Sequence, residues 1–112
     1  GAGVYYYNNG RWGHYSVKDG LVSNDIYAIV MDKEGRMWFS GSQKGISCLH
    51  KGKFTGLTMR DGLLNEGVYA LMTDTSGGLW IGSFGGGVQY YRNGKFTNYS
   101  VAQGLLGMNI LT

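Results

Sequence analysis

The chain has 112 residues and a net charge of +3 from ten basic and seven acidic side chains, with 21 glycines, no proline and one cysteine. At 14% aromatic and only 15% charged residues, it is too apolar for disorder and too poor in helix formers for a bundle. The charges are scattered, so nothing implies a nucleic-acid or direct membrane partner. Cys48 is alone, His14 and His50 lack metal-ligand spacing, and no apolar run approaches the length of a membrane span.

Glycine spacing organises the chain. Gly3, Gly45 and Gly87 stand 42 positions apart, as do Gly10, Gly52 and Gly94, and Tyr27-Ala28 recurs as Tyr69-Ala70. A period of this length marks a repeat architecture. In chain order, residues 3–16 ("GVYYYNNGRWGHYS") predict two strands around a glycine turn. "DIYAIVMD" (25–32) predicts a strand ending in Asp32. "DKEG" predicts a tight turn with Gly35 available for positive φ, and "RMWFSGS" (36–42) is the return strand. "ISCLHKG" and "KFTGLTM" predict a third and fourth strand. The second period repeats the series as "GVYALMTD", "GGLWIGS", "GVQYYRNG" and "KFTNYSV", with Asp74 and Gly77 in the turn. No helix is expected.

"IYAIVM" and "VYALM" do not alternate apolar with polar, so the first strand is expected to be covered on both faces. Four-stranded sheets stacked face to face satisfy this. The expected fold is therefore all-β: β-propeller blades, four-stranded antiparallel meanders with the first strand innermost, forming a partial propeller. Trp38 and Trp80 are predicted to pack between blades, and the "YYY" stripe to lie in a strand packed on both sides. The expected organisation is outer strands of a partial blade at 1–24, one blade at 25–66, another at 67–108 and the first strand of a further blade at 109–112.

The same residues resemble the two-component regulator propeller repeat. The resemblance rests on Asp19-Gly20-Leu21, Ser23-Asn24, Asp32, Gly35, Trp38 and Gly45 in one period. In the next it rests on Asp61-Gly62-Leu63, Asp74, Gly77, Leu79-Trp80-Ile81-Gly82 and Gly85-Gly86-Gly87. The departures are Val22, Leu64 and Leu106 where the family has proline, and Gln103 where it has aspartate. The resemblance implies a periplasmic or extracytoplasmic sensor region of a bacterial hybrid two-component kinase, with a glycan-type ligand. A propeller enzyme of the lyase type, or a purely structural interaction module, is the alternative.

No catalytic constellation, metal site or cofactor is expected. Cys48 reads as a small buried thiol, and recurrence of Asp32 and Asp74 at one phase reads as a turn role. Asp19 and Asp61 read as loop braces. Binding on a propeller uses loops at the channel mouth, here 17–25, 59–67 and 101–108 together with 41–45 and 83–87. Framework roles repeat between blades, so residues that differ are the specificity candidates. These are Asn24, Asp25, Gln43 and Lys44 in one blade, and Glu66 and Phe84 in the next. Lys18 and Arg60 share a phase and could meet an anionic sugar. The expected partners are the remaining blades of a parent propeller or other copies of the chain.

Overall fold

The computed structural model describes residues 2–84 and 87–99. Three antiparallel sheets follow one another. β1 (Val4–Asn8) and β2 (Arg11–Tyr15) form a two-stranded sheet. β3 (Ile26–Met31), β4 (Met37–Gly41), β5 (Ile46–His50) and β6 (Lys53–Leu57) form a four-stranded meander. β7 (Val68–Thr73), β8 (Leu79–Ser83), β9 (Gly87–Arg92) and β10 (Lys95–Tyr99) form a second. The expected loop at 101–108, the strand at 109–112, and Gly85 and Gly86 lie outside the described residues.

Local chemistry explains the turns. In the third hairpin of each repeat, Asn9-Gly10, Lys51-Gly52 and Asn93-Gly94 all take positive φ, the geometry whose twist matches two right-twisted strands. The Asp hairpins use a different device. Asp32 Oδ1 accepts the Glu34 and Arg36 backbone N–H groups at 2.9 and 3.0 Å, and Gly35 turns the chain at φ 84°. Asp74 Oδ1 accepts from the Ser76 and Gly78 backbones at 3.1 and 2.7 Å, with Gly77 at φ 93°. Each carboxylate thus closes the turn between first and second strands.

Two single turns of 3-10 helix, Val17–Asp19 and Met59–Asp61, depart from the expectation of no helix. Each is a capping box. Ser16 and Thr58 accept the backbone N–H two residues on, and Asp19 and Asp61 accept the backbone N–H of Ser16 and Thr58. One turn carries no periodicity, so only the Ser16/Asp19 and Thr58/Asp61 spacing could have announced it.

The two meanders stack face to face. Trp38, Ile46 and Cys48 from the first enclose a core with Val68, Leu71, Leu79 and Ile81 from the second and Leu63 from the loop that joins them. Trp38 is 5% exposed, and its ring meets Tyr91 of the next sheet edge-on at 6.0 Å. The innermost strands are tied directly, since Thr73 Oγ1 donates to the Met31 carbonyl at 3.4 Å. A second core joins Val4 and Tyr15 to Leu21, Phe39 and Phe54, so the two-stranded sheet packs on the opposite face of the first meander.

Coverage of the first strand on both faces is not observed. Along β3, Tyr27, Ile29 and Met31 are exposed while Ile26, Ala28 and Val30 are half-buried. The reason is geometric: the β1–β2 sheet packs over the outer strands of this face and leaves the inner strand open. A β-bulge lies between Ile26 and Ala28, yet exposure still alternates along the strand. The "YYY" stripe is likewise uncovered: Tyr5, Tyr6 and Tyr7 are all exposed, as is Trp12 opposite Tyr7. Trp80 is half-buried, stacked on Tyr90 and Tyr99 at 4.7 and 5.5 Å.

Candidate functional site

The bulge positions build the site. In both meanders the register slips one residue near the start of the first strand, between Ile26 and Ala28 and between Val68 and Ala70. A bulge re-aims the extra side chain, and here that residue is a tyrosine each time. Tyr27 and Tyr69 are 57% and 45% exposed at the mouth end of neighbouring innermost strands. Phe84, immediately after β8, lies against both. Its ring is 5.3 Å from Tyr69 at 57° and 6.0 Å from Tyr27 at 70°. Phe84 is itself 44% exposed, and its backbone N–H is anchored to the Gly67 carbonyl at 2.9 Å. Three inclined rings contributed by two blades thus form one apolar surface open to solvent.

Polar groups surround it. The Asn24 carbonyl accepts the Gly3 N–H at 2.9 Å, and the Glu66 carbonyl accepts the Gly45 N–H at 2.9 Å. In this way the loop after one second strand clips to the loop leading into the next blade. The Asn24 side chain accepts the Val17 N–H at 2.9 Å, which makes it a brace more than a free donor. Asp25 sits beside the first bulge with its backbone N–H on Ser23 Oγ at 3.1 Å. Gln43 and Lys44 are exposed in the adjoining loop, and Lys44 holds a left-handed backbone at φ 71°. Glu66 is exposed on the neighbouring loop.

The structure places Asn24, Asp25, Gln43, Lys44, Glu66 and Phe84 at one end of the inner strands. Lys18 and Arg60 stand elsewhere. Both are exposed in the 3-10 turns that follow the outermost strands, on the outer rim of that end. Sequence reasoning found Phe84 and missed the two tyrosines, although the recurring Tyr-Ala pair was the available signal.

Cys48, His14, Asp32 and Asp74 have structural settings. Cys48 is buried, and burial pushes its thiol pKa up. His14 pairs with the Ala2 carbonyl and stacks on Tyr5 at 4.4 Å. Burial raises the Asp32 pKa, but hydrogen bonds from Arg36 and the Trp38 indole outweigh it and hold the carboxyl below its usual range. The Tyr90 hydroxyl, followed by the Gly78 backbone, holds Asp74 down to about 2. Among the described residues no group of three His, Cys, Asp or Glu could hold a metal ion.

Four-stranded meanders stacked broadside, with their first strands innermost, define consecutive blades of a β-propeller. Residues 20–43 and 62–85 match the family described as two component regulator propeller. Among solved structures, the chain is similar to the extracellular domain of a B. thetaiotaomicron protein, BT4673, described as a hybrid two component system. The two are 28% identical over 79% of this chain and 12% of that one, with a TM-score of 0.68. A second structure of the BT4673 extracellular domain, described as a one component system, is 27% identical with the same coverage and a TM-score of 0.67. The extracellular domain of B. thetaiotaomicron BT3049 shares the fold, with a TM-score of 0.73 at 17% identity over 94% of this chain and 18% of that one. The chain therefore spans 12–18% of the length of these domains. No curated protein matches it. These neighbours are extracellular domains, and no helix among the described residues is long and apolar enough to cross a membrane.

Proposed function

We propose that this chain is a segment of a ligand-sensing propeller in the periplasmic or extracellular part of a two-component signalling protein, and that its mouth binds a glycan-type ligand. The observation that carries the reading is the Tyr27–Phe84–Tyr69 surface. A sugar ring has an apolar C–H face and a rim of hydroxyls. It is held by an exposed aromatic plane with donors and acceptors at its edge, the arrangement of ligand sites in general. Gln43, Lys44 and Glu66 are the exposed polar groups of that edge. Two blades share the rings, so a ligand seated there bridges them and favours one arrangement of the pair over another, which is what a sensor requires.

In this reading other blades of the parent, rather than further copies of the chain, complete the ring. They cover Trp80, Tyr90 and Tyr99 on one side and Tyr5, Tyr7 and Trp12 on the other. No catalytic step is assigned to the segment. The test is a glycan-array screen of the parent's extracellular region, followed by calorimetry of any hit against Phe84→Ala. Loss of one stacking ring is expected to weaken binding about tenfold, a difference of roughly 1.4 kcal/mol. Unchanged affinity would remove the mouth from the proposal, and binding of no oligosaccharide would remove the ligand class.

A further inference from the structure

The Asp hairpins of the two blades are built alike, yet one leaves a cavity beside it and the other is filled. In the second blade Tyr90 reaches across β9 to β8, and its hydroxyl donates to Asp74 Oδ2 at 2.7 Å. That reach requires Gly78, where any Cβ would collide with the Tyr90 ring. One period earlier, the same two positions hold Arg36 and Cys48. The short thiol leaves the phenol's place empty. Asp32 is met instead by Arg36 Nε at 2.6 Å and the Trp38 indole N–H at 3.0 Å.

What remains is a cleft of about 220 Å³ between the two blades, lined by Arg36, Trp38 and Cys48 on one wall and by Tyr91 and Arg92 on the other. It lies at the far ends of β3 and β9, away from the aromatic mouth. Two guanidinium groups and one carboxylate line it, while Asp61 acts on the Tyr91 phenol and Glu34 on Arg36 from outside the lining. The single lining carboxylate, Asp32, already accepts four hydrogen bonds. Arg36 engages it through Nε, and the guanidinium is held 6.0 Å over the Trp38 ring. Among the described residues Arg92 forms no ion pair, although it is exposed at the rim. One guanidinium with its terminal nitrogens uncommitted and a second with no carboxylate partner line one cavity, with the Tyr91 phenol beside them.

We propose that this interblade cleft is a binding site for a small oxyanion, a carboxylate, sulfate or phosphate group held between Arg36 and Arg92. Guanidinium forks match the oxygens of such groups bidentately. The enclosing walls of Trp38 and Tyr91 lower the local dielectric and strengthen the attraction. The volume suits a free ion or one anionic substituent of a larger solute. The site uses none of the mouth residues and stands whether or not the mouth binds a glycan.

The test uses the full chain in buffered chloride at fixed ionic strength, titrated with sodium sulfate, sodium phosphate or sodium acetate and read by calorimetry and thermal unfolding. At least one oxyanion is expected to bind saturably. The tetrahedral and planar probes distinguish a sulfate- or phosphate-type group from a carboxylate. Arg92→Ala, at the exposed rim, is expected to keep the fold and lose about tenfold in affinity, as for one charge-assisted contact. The double variant Arg36→Gly/Cys48→Tyr copies the second blade, and is expected to fill the cleft and abolish binding. Non-saturating effects that follow ionic strength alone, or equal affinity in wild type and Arg92→Ala, would overturn the proposal. The Arg92→Ala comparison decides the matter even if the double variant fails to fold.

Discussion

Truncating Trp38 should separate interblade packing from ordinary surface contact. The indole is 5% exposed, so Trp38→Ala removes about 200 Å² of buried ring surface, worth ~5 kcal/mol at about 25 cal/mol per Å². Measured aromatic truncations in cores cost about 3–5 kcal/mol. The lost hydrogen bond to Asp32 adds little, because Arg36 and the turn backbone still satisfy that carboxylate. We expect a loss of about 4 kcal/mol, a large share of the roughly 5–15 kcal/mol that holds most domains folded. Trp80→Ala is the internal control. Its half-buried ring rests on Tyr90 and Tyr99 of its own sheet, so in the 112-residue chain we expect a cost of ~1–2 kcal/mol. Urea unfolding followed by far-UV dichroism gives both numbers, compared through midpoints at a common slope. In a parent propeller, where a further blade covers Trp80, the two costs should converge. Equal costs in the isolated chain would refute the claim that Trp38 is the spacer between stacked blades.

Two further outcomes follow from the repeats. Lys51 occupies a left-handed turn position at φ 52° where the other periods carry Asn9 and Asn93 at nearly the same angle. Asparagine tolerates that region at lower cost than lysine, so Lys51→Asn should raise stability by about 0.5–1 kcal/mol in the same urea assay; a lower midpoint would contradict the turn assignment. Asp74 titrates near 2 in the folded chain against an ordinary value of 3.8. A depressed folded pKa contributes stability that is complete above the unfolded value and is lost as pH falls through the folded one. Acid unfolding of Tyr90→Phe, which loses the strongest bond to this carboxylate, should therefore show a shallower stability decline than wild type between pH 4 and pH 2, with an unchanged slope there counting against the bond.

Much of the framework was legible because it repeats. Asp32 and Asp74, Gly35 and Gly77, and the paired tryptophans each appear at one phase, and a residue that recurs once per period has a role that recurs once per blade. The bulges were not legible. A bulge is a mismatch in count between partner strands, and hydrophobic pattern reports one strand at a time. "IYAIVM" read as covered on both sides because the letters do not say that the neighbouring sheet leaves Tyr27, Ile29 and Met31 open. The tyrosines at the mouth were hidden for the same reason. Their conjunction with Phe84 depends on two strands from different blades arriving side by side. The exchange of Arg36 and Cys48 for Gly78 and Tyr90 was visible as letters only. Its meaning needs the cross-strand neighbours that register supplies, Trp38 opposite Cys48 and Trp80 opposite Tyr90.

Backbone amide exchange on the parent's extracellular region, with and without a saturating bound oligosaccharide, tests the sensing account most directly. Protection is expected to rise at residues 24–27, 42–45 and 66–69 and at Phe84, spanning the mouth of both blades. Protection confined to other blades, with these segments exchanging at their free rates, would contradict it.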